Sequence, residues 1–322
     1  IDKKNRIILS GGNRRDVEQI GASLTSTNDV LGRSYASSGL FTTGANGKLT
    51  SINLTTLAAE IEPIKNVTFQ LGFSYRTLES ASDTFKLDYF TDATLTNTKS
   101  KVTQSELNVQ IEMTPKKKTI GYGVERRDID SPYSRIFINY GQGFKGFINS
   151  DFDYQKIQLY YKQPVVIGAI GRTNFIMELG KTFGQVPLGL MSVVPGNQTL
   201  FIIDNTFSNL NFYEFVADQY ATLQLEHNFQ GKIFARIPYL RKLNLREIIG
   251  VRGVYGTVSD ENVAINASGL IYQAPEKPYW EYSAGIGNIF KVFRLDFAWR
   301  GNYRDIPDTS NFTIKGSFGF YF

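Results

Sequence analysis

The sequence predicts an all-β protein, an antiparallel transmembrane β-barrel with about twelve strands visible in an intact barrel of about 14 to 16. Three observations support this fold class: apolar and polar residues alternate repeatedly, aromatic residues are abundant, and connections alternate between short and long. Because successive side chains on a strand point to opposite faces, alternation gives each strand one apolar and one polar face. In a membrane barrel the apolar face contacts lipid and the polar face lines the interior.

The alternation recurs along the whole chain. Its clearest example is residues 67–75, where Phe69, Leu71 and Phe73 are separated by polar or small residues. In chain order, the predicted strands are residues 6–11, 52–58, 67–75, 107–113, 136–140, 157–161, 175–183, 221–229, 243–255, 280–286, 293–299 and 311–322. Residues 12–46 fit no strand pattern well, so we expect a loop or a segment folded into the lumen.

The connections predict an orientation. Joins at residues 63–66, 163–171 and 288–291 are short, whereas residues 77–101, 185–218, 258–278 and 305–310 form longer connections. Outer-membrane barrels have short periplasmic turns and longer extracellular loops. We therefore expect an outer-membrane protein with a periplasmic C-terminus and extracellular long loops. Residues 83–90 resemble a strand, but a membrane-spanning strand there would break this alternation, so we place them in an extracellular loop, as a hairpin arm.

Composition narrows the function classes. The polar faces carry Gly, Ser, Asn and Gln mixed with charges, which suits a confined aqueous lumen better than the surface of a soluble sandwich. The absence of Cys excludes disulfides and thiolate metal sites, and no metal or cofactor site is predicted. The net charge of +5 is dispersed among acids, so no nucleic-acid partner is expected. We expect residues 1–322 to form a single domain, the C-terminal portion of a longer chain.

Aromatic residues mark the predicted membrane boundary. The last strand, NFTIKGSFGFYF, resembles the signal by which barrels are recognised and inserted, carried by Phe318, Phe320 and Phe322 on the lipid side. Aromatic side chains concentrate at both membrane interfaces of such barrels. The predicted interface aromatics here are Trp280, Tyr282, Phe297 and Trp299.

Charged residues at inward positions form the main candidate site. They are Arg172, Glu178, Glu226, Arg246, Arg252, Glu281, Arg294, Asp296 and Arg300. One interpretation is a selectivity lining or a lumen site for an anionic group. The favoured interpretation is that charges of both signs pair across neighbouring strands and fill the lumen as a polar plug.

Catalysis is not predicted. His227 is the sole histidine and takes an outward position, and the outward positions of the neighbouring strands offer no serine to serve as its nucleophile. Residues 251–256, VRGVYG, are similar to the Val-Arg-Gly-aromatic motif of the outer-membrane assembly-factor superfamily. In that superfamily the motif lies on a loop folded into the barrel, whereas here it lies within a predicted strand.

Four stretches carry a family resemblance: NSDFDY at 149–154, PGNQTLF at 195–201, EHNFQGKIFARIPYLRKLNLRE at 226–247 and GIGNIFKVFRLDFAW at 285–299. They resemble the C-terminal barrel of a Bacteroidota outer-membrane family of unknown function, in which the barrel follows a carboxypeptidase-regulatory-like domain. The resemblance implies an outer-membrane location with envelope-complex or transport roles, and it implies no catalytic residues.

The function predicted from these features is a non-enzymatic barrel, a scaffold or accessory subunit of a cell-envelope complex with a plugged lumen. A pore or transporter for small solutes or lipids is the first alternative, and an assembly factor for other outer-membrane proteins is the second. The predicted partners are outer-membrane lipid and lipopolysaccharide, the barrel-assembly machinery during insertion, and proteins of an envelope complex.

Overall fold

The computed structural model describes residues 6–18 and 48–319, apart from residues 84, 93, 122–125, 130–131, 204 and 271–272. Its strands are β1 (Arg6–Glu18), β2 (Thr50–Ile64), β3 (Val67–Ser80), β4 (Tyr89–Phe90), β5 (Thr98–Lys99), β6 (Val102–Met113), β7 (Thr119–Ile120), β8 (Arg127–Asp128), β9 (Arg135–Gly143), β10 (Tyr154–Ile167), β11 (Gly171–Phe183), β12 (Ser192–Val193), β13 (Val216–Ala217), β14 (Gln219–Asn228), β15 (Arg246–Thr257), β16 (Tyr279–Ile289), β17 (Phe293–Arg300) and β18 (Phe312–Phe318). Two short α-helices, α1 (Pro238–Arg241) and α2 (Asp260–Ala264), lie in connections.

Twelve of these strands form one sheet in the order β1-β2-β3-β6-β9-β10-β11-β14-β15-β16-β17-β18. Each strand is antiparallel to its neighbours, as expected when consecutive long strands are joined by turns and loops. The predicted fold class and the number of strands are thereby confirmed. Within the described residues β1 and β18 do not pair with each other, so the sheet is an unclosed barrel wall.

Several predicted boundaries are wrong. β1 continues through Glu18, because its second half pairs residue by residue with β2; residues 12–18 are therefore strand, and residues 19–47 lie outside the described residues. The predicted strand at 243–255 begins only at Arg246, after a turn that follows α1. Residues 83 and 85–90 are outside the wall, as expected, and β4 pairs with β5 as a small hairpin.

The connections differ in length at the two ends of the wall. Short joins link β2 to β3, β10 to β11 and β16 to β17, whereas longer ones link β3 to β6, β11 to β14 and β15 to β16. The end with the short joins also carries two longer connections, residues 114–134 with β7 and β8, and residues 229–245 with α1. We call these two ends of the sheet the short-turn end and the long-loop end. None of the described helices is long and apolar enough to span a membrane.

The two faces of the sheet differ sharply. Exposed apolar side chains such as Leu57, Leu71 and Leu223 lie on the outer face. On the inner face, polar groups such as Gln104, Asn108 and Glu281 are buried, as are apolar residues near the long-loop end. An apolar exterior around a polar, filled interior is the reverse of a soluble protein and suits a wall surrounded by lipid.

Candidate functional site: a plugged lumen

The described part of residues 185–218, in the connection between β11 and β14, folds onto the inner face of the wall. We call these residues the plug segment. Its apolar side chains share one buried cluster with wall residues from β2, β3, β6 and β10: Ile52, Leu54, Leu78, Val102 and Tyr154 meet Val186, Leu188, Leu190, Met191, Val193, Phe212, Tyr213 and Val216. This burial explains why the inner face is apolar at the long-loop end.

A second cluster holds the other side of the plug segment against β15 and β16. Phe207 and Phe215 each approach the ring of Tyr279, with ring centroids 5.7 Å apart in both cases. Val254 on β15 completes the buried contact. Aromatic pairs of this geometry add about 0.5–1.5 kcal/mol beyond the area they bury.

Glu281 fixes the backbone of the plug segment. Its carboxylate accepts hydrogen bonds from the backbone N–H groups of Ser208 at 2.6 Å and Asn209 at 3.0 Å. The hydroxyl of Tyr279 donates a third bond at 3.2 Å. Glu281 is almost fully buried. A carboxylate buried in this way is stable because several donors converge on it.

Two arginines hold the same stretch. Arg300 has no exposed surface; its guanidinium forms an ion pair with Glu214 and donates to the backbone carbonyl of Asn209 at 3.3 Å. Arg252 donates to the carbonyl of Thr206 at 2.7 Å. Buried arginines need such acceptors, since an unpaired buried charge is costly. These charges therefore bind the plug segment, whereas the sequence predicted that they pair across neighbouring strands.

Lys315 and the edge of β18 provide the last anchor. The Lys315 ammonium donates to the carbonyls of Asn197 at 2.8 Å and Thr199 at 2.6 Å. Gly316 donates its N–H to the carbonyl of Leu200 and accepts from the N–H of Ile202, both at 2.8 Å. The plug segment therefore adds one short parallel bridge to the outer edge of β18. Lys315 was not among the lumen charges predicted from the sequence, because it is the only charged residue on the weakly polar face of its strand.

Toward the short-turn end, three of the predicted charges pair with one another. Arg294 contacts Glu226 and Asp296, each at 2.7 Å. Glu226 lies on β14 and Arg294 on β17, so the pair crosses β15 and β16. Two of the inner-face residues between them, Gly250 beside Ser283 and Gly285 beside Ile248, have no side chain and leave room for the guanidinium.

Amide side chains occupy the middle of the inner face. Asn108, Gln110, Asn139 and Gln158 are all buried, and Asn139 donates to Gln158 at 3.1 Å. Among the described residues, Gln110 Nε2 and Asn139 Oδ1 have no hydrogen-bond partner, although buried amides are normally satisfied.

The remaining predicted charges lie apart from both groups. Glu178 is buried and accepts from the Tyr220 hydroxyl at 2.6 Å. Arg172 and Arg246 lie at the short-turn end, on β11 and β15. A further ion pair, between the half-buried Arg76 and the buried Glu106 at 2.7 Å, was not predicted.

The predicted interface aromatics form a cluster on the outer face. Tyr282 stacks on Trp299 with centroids 5.5 Å apart, Trp280 lies beside Tyr282 at 5.7 Å, and Phe297 stacks on Phe312 at 6.5 Å. Their location at a membrane interface stays a prediction.

At the C-terminal end, Phe318 packs against Phe293 on β17, with ring centroids 4.5 Å apart. The other two residues of the predicted insertion signal, Phe320 and Phe322, lie outside the described residues. The role of these phenylalanines in insertion therefore stays a prediction.

His227 has a hydroxyl neighbour after all. Its Nδ1 atom lies 2.8 Å from Thr173 Oγ1, directly across from it on β11. Serine was the nucleophile considered from the sequence, so the contact with Thr173 was not predicted. A catalytic histidine contacts a nucleophile through one ring nitrogen and an orienting carboxylate through the other. Among the described residues, no group contacts the second ring nitrogen of His227, Nε2.

Twelve antiparallel strands with an apolar exterior and a filled polar interior define a transmembrane β-barrel of the outer-membrane type. The chain belongs to the DUF5686 family of unknown function, because the model of that family's C-terminal domain matches residues 53–286. This agrees with the predicted resemblance to a barrel family of unknown function. The bacterial group and the preceding domain implied by that resemblance stay predictions. No curated protein matches the sequence.

The chain is similar to several solved structures at low sequence identity. CdiB from Escherichia coli is 11% identical with a TM-score of 0.50, over 86% of this chain and 47% of that one. BamA from Haemophilus ducreyi, lacking POTRA domains 1–3, is 11% identical with a TM-score of 0.48, over 84% and 55%. OccK11 (OpdR) from Pseudomonas aeruginosa is 10% identical with a TM-score of 0.31, over 86% and 71%. The chain spans about half the length of CdiB and BamA.

Proposed function

We propose that this protein is a non-enzymatic outer-membrane barrel that serves as a scaffold or accessory subunit of a cell-envelope complex, with its lumen closed by the plug segment. The observation that carries the proposal is a set of charges, the buried Glu281, Arg300 and Lys315 and the half-buried Arg252, that hold the plug segment by its backbone. Such groups lose their partners if the segment leaves, so departure is costly. A lumen that is closed this firmly suits a structural role better than the free diffusion of solutes through a pore.

The proposed orientation follows from the connections. With the C-terminus in the periplasm, the plug segment enters the lumen from the extracellular side. The outer face then contacts outer-membrane lipid and lipopolysaccharide, the barrel-assembly machinery inserts the chain, and protein partners of the envelope complex bind at its ends. Cysteine labelling in intact cells tests this orientation: a thiol introduced at Glu261 in α2 should react with a membrane-impermeant reagent, and one at Tyr239 in α1 should not.

Conductance tests the closed lumen. The protein reconstituted in planar bilayers should show no steady current, whereas a variant with residues 190–212 replaced by a short Gly-Ser linker should conduct. A Trp280→Phe exchange on the outer face serves as a control that leaves the lumen unchanged. Steady current through the unmodified protein would contradict the proposal.

A pore for small polar solutes is the second candidate, and the buried amides favour it. The buried amides of Gln110 and Asn139 form part of a polar layer on the inner face below the plug segment. Displacement of the plug segment would then open a polar path. The two candidates separate on the native complex: a scaffold migrates with other envelope proteins on a native gel in mild detergent, whereas a gated pore migrates at the mass of the barrel alone.

A further inference from the structure

The outer wall carries a groove of about 410 Å³ between β10 and β15, near the long-loop end. Its apolar lining comes from four neighbouring strands, with Leu159, Leu179, Ala221 and Tyr255 side by side in register. The groove exists because Ala221 stands between two large side chains and fills little space. Its size lies within the roughly 300–1,000 Å³ typical of ligand sites.

The next row toward the long-loop end consists of Ile157, Lys181, Gln219 and Thr257, and three of these four residues are polar. All four stand next to one another in register and line the upper part of the groove. Lys181 is an exposed cation directly above the apolar lining, and its ammonium lies 4.9 Å from the ring centroid of Phe183. A lysine on the lipid face is tolerated only near the interface, which places this row at the level of the lipid headgroups.

Lys181 has no carboxylate partner among the ion pairs of the described residues. The comparable lysine beside β6, Lys101, lies 4.0 Å from Glu79. The difference leaves positive charge available at the top of the groove, where it is complementary to a phosphate. An apolar groove that ends at a cation with no carboxylate partner among the described residues matches a lipid whose acyl chain lies below a phosphorylated headgroup.

We infer that this groove binds one acyl chain of a phosphorylated, multiply acylated glycolipid, the membrane anchor of lipopolysaccharide, with a headgroup phosphate on Lys181. The choice of the glycolipid over a phospholipid rests on the proposed orientation, which puts the long-loop end in the extracellular leaflet. The site lies on the outer wall and is independent of the plug segment, so an open lumen would not affect it.

Native mass spectrometry of the detergent-purified protein tests the inference, with purified lipid A titrated into it. The unmodified protein should bind one lipid A, and Ala221→Phe, which fills the groove, should weaken binding about tenfold or more. Lys181→Ala should weaken it by about tenfold through loss of the charge-assisted contact, and Lys181→Arg should retain it. Ala59→Phe, the same exchange on the outer face of β2, is the matched control and should leave binding unchanged.

Any other pattern of lipid A binding among these variants would overturn the inference. Equal binding by the Ala221→Phe and Ala59→Phe variants would mean that lipid A does not occupy the groove. Phosphatidylglycerol that binds as tightly as lipid A, with the same sensitivity to Ala221→Phe, would assign the groove to a phospholipid. Heat-dependent gel mobility confirms that each variant is folded, so loss of binding cannot be attributed to a collapsed barrel.

Discussion

The two ends of the lumen use charge differently. At the long-loop end, Glu281 and Arg300 contact the plug segment, so their partners belong to a connection that could leave. At the short-turn end, Arg294 joins Glu226 and Asp296, all on wall strands. The same residue types therefore serve two purposes: the first group fastens a separate segment, and the second stiffens the wall. Substitution should separate these roles, because only the first group should affect access to the plug segment.

The largest effect is expected from Arg300→Met. This exchange leaves Glu214 buried without its cation, and breaking a buried ion pair from one side costs about 3–5 kcal/mol. We expect faster chymotrypsin cleavage within the plug segment, which is rich in Phe, Tyr and Leu, and a lower free energy of unfolding in urea. Cleavage at the unmodified rate would show that Arg300 does not fasten the segment.

Arg294→Met should have a somewhat smaller effect and a different signature. Glu226 is partly exposed and can be hydrated, but the Asp296 side chain is as buried as that of Glu214 and loses its cation, so we expect a loss of about 3 kcal/mol in the free energy of unfolding, at the lower end of the range for a buried ion pair. Chymotrypsin cleavage of the plug segment should stay as slow as in the unmodified protein. If cleavage accelerates as much as in Arg300→Met, the two ends of the lumen are not independent.

Gly285→Ala tests the space that the short-turn group requires. A Cβ at this position would overlap the Asp296 carboxylate, so the ion pairs must shift, at a cost of about 1–3 kcal/mol. Gly12→Ala on β1 is the matched control, since nothing lies within 4 Å of a Cβ there. Equal melting temperatures for the two variants would show that Asp296 moves aside without cost.

Phe201→Ala should give the smallest effect. Phe201 lies beside Phe318, with ring centroids 6.4 Å apart, at the edge of β18. Loss of this contact should cost about 0.5–1.5 kcal/mol and loosen the parallel bridge to Gly316. Hydrogen exchange should accelerate at Gly316 and Ile202 while the amides of β14 remain protected. Uniform exchange across the sheet would contradict a local role.

The wall was predictable from the sequence because strand alternation is a local signal. Phe69, Leu71 and Phe73 identify β3 without knowledge of any partner. The plug segment has no such period, so its residues read as a plain loop. Its apolar side chains are buried against Ile52, Leu78 and Val102, which are distant in sequence, so their role could not be predicted from the segment alone.

The charges show the same limit. Their inward positions follow from the alternation of side chains along each strand, but this alternation does not show which residues contact one another. Glu226 and Arg294 are 68 positions apart and meet across two intervening strands, because the glycines between them leave space. Lys315 and Glu214 were missed because their significance depends on where the plug segment lies.

The central claim, that the plug segment lies against the inner face beside β18, can be tested most directly by cross-linking. The chain has no cysteine, and Thr313 Oγ1 donates to the Ser208 carbonyl at 3.4 Å. In intact cells, a short thiol-specific cross-linker should join S208C to T313C and should not join S208C to F312C, whose side chain lies on the outer face. Failure to join the first pair, or equal joining of both pairs, would contradict the account.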